Sequence, residues 1–190
     1  MQANTLSDEK RTLLDKIERD CATSSVLQIT TEFVTWLELL KKMGVKSYLE
    51  LGTFTGQAAL TVKAYLGPNA KVITIDRINA DEERDGVIFV KGDSDDHALR
   101  ERIVALHGQP DAIFIDANHE YEAVKRDYEC WWPVTNLVAG FHDLDLCVND
   151  VARFFWFDLN RMCQFTIRHG EWRHWTMGLG IAVKMKLNDK

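Results

Sequence analysis

Cysteine is scarce and scattered in this chain. Its four copies, Cys21, Cys130, Cys147 and Cys163, form no C-x-x-C pair, so neither a zinc knuckle nor a disulfide framework is indicated, and a reducing, cytoplasmic setting is the expectation. Proline numbers three in 190 residues, and no linker rich in Gly, Ser or Pro divides the chain. No internal repeat marks a solenoid or an array. Positive charge is in deficit: 23 Lys and Arg stand against 29 Asp and Glu, a net charge of −6. That excludes a general attraction to a nucleic-acid backbone or an anionic membrane surface. No apolar run approaches the roughly 18 residues of a membrane span, and the polar start, with acids among its bases, does not read as an export signal.

What is present is the composition of a packed domain, 46% hydrophobic and 27% charged, which argues against disorder. The length fits one domain over 1–190, with a helical lead-in at 1–44 and a core at 45–190. Leu6, Leu13, Leu14 and Ile17 make one helical stripe over 6–20. Phe33, Leu37 and Leu40 make another over 29–43, ended by Gly44. Short apolar runs then alternate with helical stretches. Strands are expected at 47–51, 72–75, 87–90, 113–115 and 137–141, with helices reaching about 66 and over 97–106 and 119–132. Such alternation implies a parallel sheet covered on both faces. A helix to about Leu159 and strands at 165–167 and 179–185 follow. The ten residues between those two strands are too few for a helical crossover, so the last pair should be antiparallel. The fold class expected is α/β, a Rossmann-like, doubly wound, seven-stranded sheet, mostly parallel with an antiparallel last strand.

The first strand runs into Glu50-Leu51-Gly52-Thr53-Phe54-Thr55-Gly56, whose glycines would let a ligand approach the backbone. The spacing is not that of a dinucleotide loop, and an acid ahead of the first glycine repels a pyrophosphate but suits an ammonium. The loop resembles motif I of the class I methyltransferases, whose cofactor, S-adenosylmethionine, carries an ammonium, a ribose and an adenine. An ordinary strand-to-helix turn is the plainer alternative. Asp76, about twenty residues past the second glycine, is placed to accept ribose hydroxyls, unless it is only a solvated strand-end carboxylate. Asp93, in Lys91-Gly92-Asp93-Ser94, resembles the adenine-contacting position, while Asp93 or Ser94 would also serve as a helix N-cap.

The fourth strand opens the run Ile115-Asp116-x-x-His119-x-Tyr121-x-x-Val124-x-x-Asp127, and Phe141-His142-Asp143 ends the fifth. Over about residues 25–185 these motifs resemble the small-molecule methyltransferases that include macrolide-sugar and rhamnosyl O-methyltransferases and the cephalosporin-hydroxylase-like proteins. Neighbouring strands lie about 4.8 Å apart, so Asp116 and His142-Asp143 should leave one sheet edge together, where two carboxylates can share a cation such as Mg²⁺ or Mn²⁺. His119 is near enough to take a hydroxyl proton. The resemblance implies the same roles: Asp116 and Asp143 as ligands, His119 as base.

The chain departs from the pattern at His142, where the family has an acid. Imidazole is a softer ligand, better matched to Zn²⁺, Fe²⁺ or Mn²⁺. Gly140 falls inside the fifth strand, where it either loosens the edge or admits close packing. The cofactor set expected is Glu50, Gly52, Thr53, Gly56, Asp76, Asp93 and Asp116, with Gln28 closing over it from the lead segment as the resemblance implies. The metal set is Asp116, His142 and Asp143. The aromatics Phe154-Phe155-Trp156-Phe157, Trp131-Trp132, Trp172 and Trp175 read as core filling, or as an apolar lid or homodimer interface. The expected activity is methyl transfer from S-adenosylmethionine to a small-molecule hydroxyl, without a nucleic-acid or membrane partner. The rivals are a metal-dependent hydroxylase-like oxidoreductase on the same fold and a non-catalytic module that binds S-adenosylmethionine.

Overall fold

The computed structural model describes residues 12, 15–19, 30–144, 151, 154, 155, 159, 163–167 and 178–184. Residues 15–19 are helical and bury Ile17. The elements that follow are α1 (Thr30–Lys42), β1 (Ser47–Leu51), α2 (Gln57–Leu66), β2 (Lys71–Asp76), β3 (Glu82–Arg84) and β4 (Val87–Lys91). After them come α3 (His97–His107), β5 (Ala112–Ile115), α4 (Tyr121–Trp131), β6 (Val138–Phe141), β7 (Cys163–Ile167) and β8 (Leu179–Val183).

The strands form one sheet in the order β3-β4-β2-β1-β5-β6-β8-β7. From β4 to β6 every pairing is parallel. Strand β8 runs antiparallel to both β6 and β7, as the short connection requires. The seven expected strands are present, and the eighth is the edge strand β3, antiparallel to β4. Glu82, Glu83 and Arg84 are all exposed, so no hydrophobic pattern announces it. The signal that does is Asp85-Gly86, both with positive φ (51° and 75°), the two-residue turn that joins hairpin strands.

Alternate residues of each strand feed alternate faces. Tyr48, Val72, Phe89, Phe114 and Ile181 pack with Phe33, Trp36 and Leu40 of α1 and Ala59 and Val62 of α2. Leu49, Leu51, Ile73, Ile75, Ile113, Ile115 and Phe141 pack with Leu99 and Ile103 of α3 and Val124 and Trp131 of α4. Helices therefore cover both faces, and nearly unbroken apolar strands are buried on both sides. Gly140 belongs to this packing: a Cβ there would lie 2.7 Å from the Phe114 ring and 3.1 Å from that of Trp36. It admits close packing and loosens nothing.

Of the aromatics singled out as core filling, lid or interface, Trp131, Trp132, Phe154 and Phe155 are buried, as are Val151 and Leu159. They fill the core. Trp156, Phe157, Trp172 and Trp175, and Gln28, lie outside the described residues. No helix among the described residues is long and apolar enough to cross a membrane.

Candidate active site

The carboxyl ends of β1, β2, β4, β5 and β6 meet at one sheet edge, where open α/β sheets bind ligands. Their parallel registers align Leu51 with Ile75 and Ile115, and Ile115 with Phe141, so the residues that follow each strand emerge side by side.

The β1–α2 loop packs closely on the protein. Gly52 (φ +95°) has no room for a side chain: a Cβ would lie 2.6 Å from the Asp116 carbonyl carbon and 2.7 Å from Ala117 Cα. At Gly56 a Cβ would strike the Phe89 ring. These glycines thus let the loop pack closely on its neighbours. Asp76 holds the same loop. Its Oδ2 accepts from the backbone N–H of Thr53 (2.9 Å) and of Phe54 (3.2 Å), and Oδ1 accepts from Ile78 N–H (2.9 Å). Burial opposes the charge, but these backbone donors stabilise it and lower the Asp76 pKa. Thr53 is buried and its hydroxyl meets that of Thr74 at 2.6 Å.

Glu50 lies beneath the loop, 2% exposed. Tyr48 donates its hydroxyl to Glu50 Oε2 (3.2 Å) and Thr74 to Oε1 (3.4 Å). Burial, with the charge of Asp116 nearby, pushes the Glu50 carboxyl up to about 8. Asp93 is an exposed partner of Arg77. The cap of α3 is Asp96, which accepts from Ala98 N–H at 2.8 Å, and not Asp93 or Ser94.

Asp116, His119, His142 and Asp143 come together as one cluster. Asp116 Oδ1 is 3.3 Å from His119 Nε2 and 3.0 Å from His142 Nδ1. Asp143 places Oδ1 3.0 Å from His142 Nδ1 and Oδ2 3.4 Å from His119 Nδ1. The Asp143 backbone is left-handed (φ 62°), a conformation that costs energy outside glycine. Burial alone would raise the Asp116 carboxyl, but the imidazoles of His142 and His119 outweigh it and hold it at about 2. Burial raises the Asp143 carboxyl in spite of the same rings. In His142 burial disfavours the imidazolium, and the charge of Asp116 more than offsets this.

One atom from each of these four residues lies within 4.8 Å of all the others, a separation that a single cation can span. The donor set fits a divalent ion in a second respect. His142 is 4% exposed, and neither of its ring nitrogens has a hydrogen-bond partner among the described residues.

Three contributors escaped the reading of the sequence. Glu32 of α1 is 3% exposed, accepts from Gly178 N–H at 3.3 Å, and adds its charge to those acting on His142. An acid one turn before buried Trp36 was its only signal. Phe54 and Ile78, whose N–H groups bind opposite oxygens of Asp76, expose their apolar side chains by 66% and 86%.

The methyltransferase domain family matches residues 49–143, from β1 to the end of the cluster. No curated protein matches the chain. Among solved structures, a putative caffeoyl-CoA O-methyltransferase from Staphylococcus aureus is similar at TM-score 0.67 and 16% identity, over 90% of this chain and 92% of that one. The O-methyltransferase TomG from Streptomyces achromogenes, in complex with S-adenosylmethionine, is similar at TM-score 0.60 and 18% identity, over 90% and 88%. These likenesses show the fold. The chain also matches MycE of the mycinamycin pathway, in complex with Mg and S-adenosylhomocysteine, at 17% identity and TM-score 0.45, over 52% of this chain and only 28% of MycE. On the domain match, which spans half of the chain, the chain belongs to the methyltransferase domain family.

Proposed function

We propose that this enzyme transfers the methyl group of S-adenosylmethionine to a hydroxyl of a small-molecule acceptor, with His119 as general base and Asp116 and Asp143 beside it. The observation that carries the proposal is the contact of Gly52 with the Asp116–Ala117 backbone, which joins the glycine loop to the charged cluster. A cofactor seated on one has its sulfonium end beside the other. Glu50 beneath the loop, Thr53 and Gly56 within it, and Asp76, Asp93 and Asp116 at successive strand ends are the proposed cofactor set. Phe54 and Ile78 supply apolar surface that an adenine would cover.

Direct transfer from a sulfonium needs no covalent enzyme intermediate, so the residues act by position and by moving one proton. The acceptor oxygen attacks the methyl carbon, the carbon–sulfur bond breaks, and the hydroxyl proton passes to a nitrogen of His119. Asp116 and Asp143 flank that ring, Asp116 at Nε2 and Asp143 at Nδ1. A divalent ion on Asp116, His142 and Asp143 would lower the pKa of the acceptor hydroxyl.

Isothermal titration tests the reading. S-adenosylhomocysteine should bind with a micromolar Kd, about −8 kcal/mol, NAD should give no heat, and Asp76→Ala should weaken the adduct roughly tenfold or more. Heat with NAD alone would sink the proposal.

A further inference from the structure

The cluster contains one residue whose chemistry differs from that of an all-oxygen cation site. His142 is buried, with both ring nitrogens lacking a hydrogen-bond partner among the described residues. Its Nδ1 stands 3.0 Å from Asp116 Oδ1 and 3.0 Å from Asp143 Oδ1. Two ligands at right angles on an ion about 2.1 Å away are about 3.0 Å apart, so the spacing is that of adjacent ligands on one ion.

The ring is fixed in this pose from the core side. Its backbone N–H donates to Ile115 O at 3.2 Å, which ties β6 to β5. Its ring packs on Phe114 at 6.1 Å between centroids, and Phe114 packs on Trp36 at 5.6 Å. Glu32 is one turn before Trp36, and its partner Gly178 accepts from Leu144 N–H at 3.0 Å. Helix α1 thus braces both the His142 ring and the loop that carries Asp143. His119 is the most exposed of the four side chains, at 33%, and stays on the acceptor side as the base.

We infer that Asp116, His142 and Asp143 form a one-imidazole, two-carboxylate centre that takes a first-row transition dication, Mn²⁺, Fe²⁺, Co²⁺ or Zn²⁺, in preference to Mg²⁺. The physical reason is ligand type. Mg²⁺ is hard, keeps oxygen ligands and gives up water reluctantly, whereas imidazole nitrogen favours the transition series in the order of the divalent ions. The inference rests on the proposed site and adds the identity of the ion.

The test titrates the metal-stripped full chain with MgCl₂, MnCl₂ and CoCl₂ by calorimetry, and reads the visible absorption of bound Co²⁺. Each preparation is also titrated with S-adenosylhomocysteine. Mn²⁺ and Co²⁺ should bind on the order of 100-fold more tightly than Mg²⁺. His142→Asp should reduce that preference at least tenfold and change the Co²⁺ spectrum, because an oxygen replaces a nitrogen ligand. His119→Ala should leave the spectrum unchanged. Mg²⁺ binding as tightly as Mn²⁺, or a Co²⁺ spectrum indifferent to His142→Asp, overturns the inference, as does absence of metal binding by protein that still takes the adduct. Loss of adduct binding in every preparation would instead strike the methyltransferase site itself.

Discussion

Glu50 and Asp116 are both carboxyls close to the same loop, and their surroundings push them in opposite directions. Glu50 has two hydroxyl donors and no cation, and burial takes it up to about 8. Asp116 has two imidazoles and is held at about 2. At neutral pH the first is mostly neutral and the second charged. Another acid, Asp127, buried on the inner face of α4, has no role in the chemistry proposed. Burial, only partly offset by the Ser94 hydrogen bond, raises it to about 6. Its effect on stability has a definite sign. Between about pH 4 and pH 6 the unfolded chain releases this proton while the folded one keeps it, so stability falls as pH rises through that window. The rise to about 6 corresponds to about 3 kcal/mol. Urea unfolding of Asp127→Asn between pH 4 and pH 7 should lose most of that fall. An unchanged slope would place the titration elsewhere.

At the scale of elements, β5 and β6 decide where the site is. Their register sets Asp116 beside His142, and Gly140 lets β6 lie against the aromatic wall of Phe114 and Trp36. Gly140→Ala should therefore destabilise the protein by about 1–3 kcal/mol, the usual penalty for overpacking, seen as a lower urea midpoint. A neutral substitution would mean that the Trp36 ring yields. The alternation of apolar runs with helical stretches made seven of the eight strands legible, because a parallel sheet buried on both faces leaves an apolar run at each strand. Strand β3 was illegible by that criterion, since an exposed edge strand buries nothing. The cap of α3 lies two or three residues beyond the expected Asp93 or Ser94 for a related reason: Asp93, Ser94 and Asp96 are all good caps, and only the position at which the chain turns selects among them.

The whole molecule adds the coupling between loop, cluster and lead helix. If the edge binds cofactor as one unit, S-adenosylhomocysteine at 100 times its Kd stabilises the fold by about 2.7 kcal/mol. For a chain of this size that raises Tm by roughly 5–10 °C, measurable by calorimetry. A bound adduct with no rise in Tm would mean that the unfolded chain binds it equally well.

The sequence by itself determined the order and type of the elements, and it placed Glu50, Asp76, Asp116, His119, His142 and Asp143 at or near strand ends, because hydrophobic period and glycine spacing are local properties of the chain. Only the tertiary structure decided what those residues face. Parallel crossovers bring β1, β5 and β6 together in space although β2 to β4 intervene in the chain. From that order follow the seating of Gly52 on Asp116, the turning of Asp76 onto the loop, and the closing of Glu32 of α1 against Gly178, 146 residues away. No local pattern encodes such contacts, because each depends on two segments whose distance is set by the sheet.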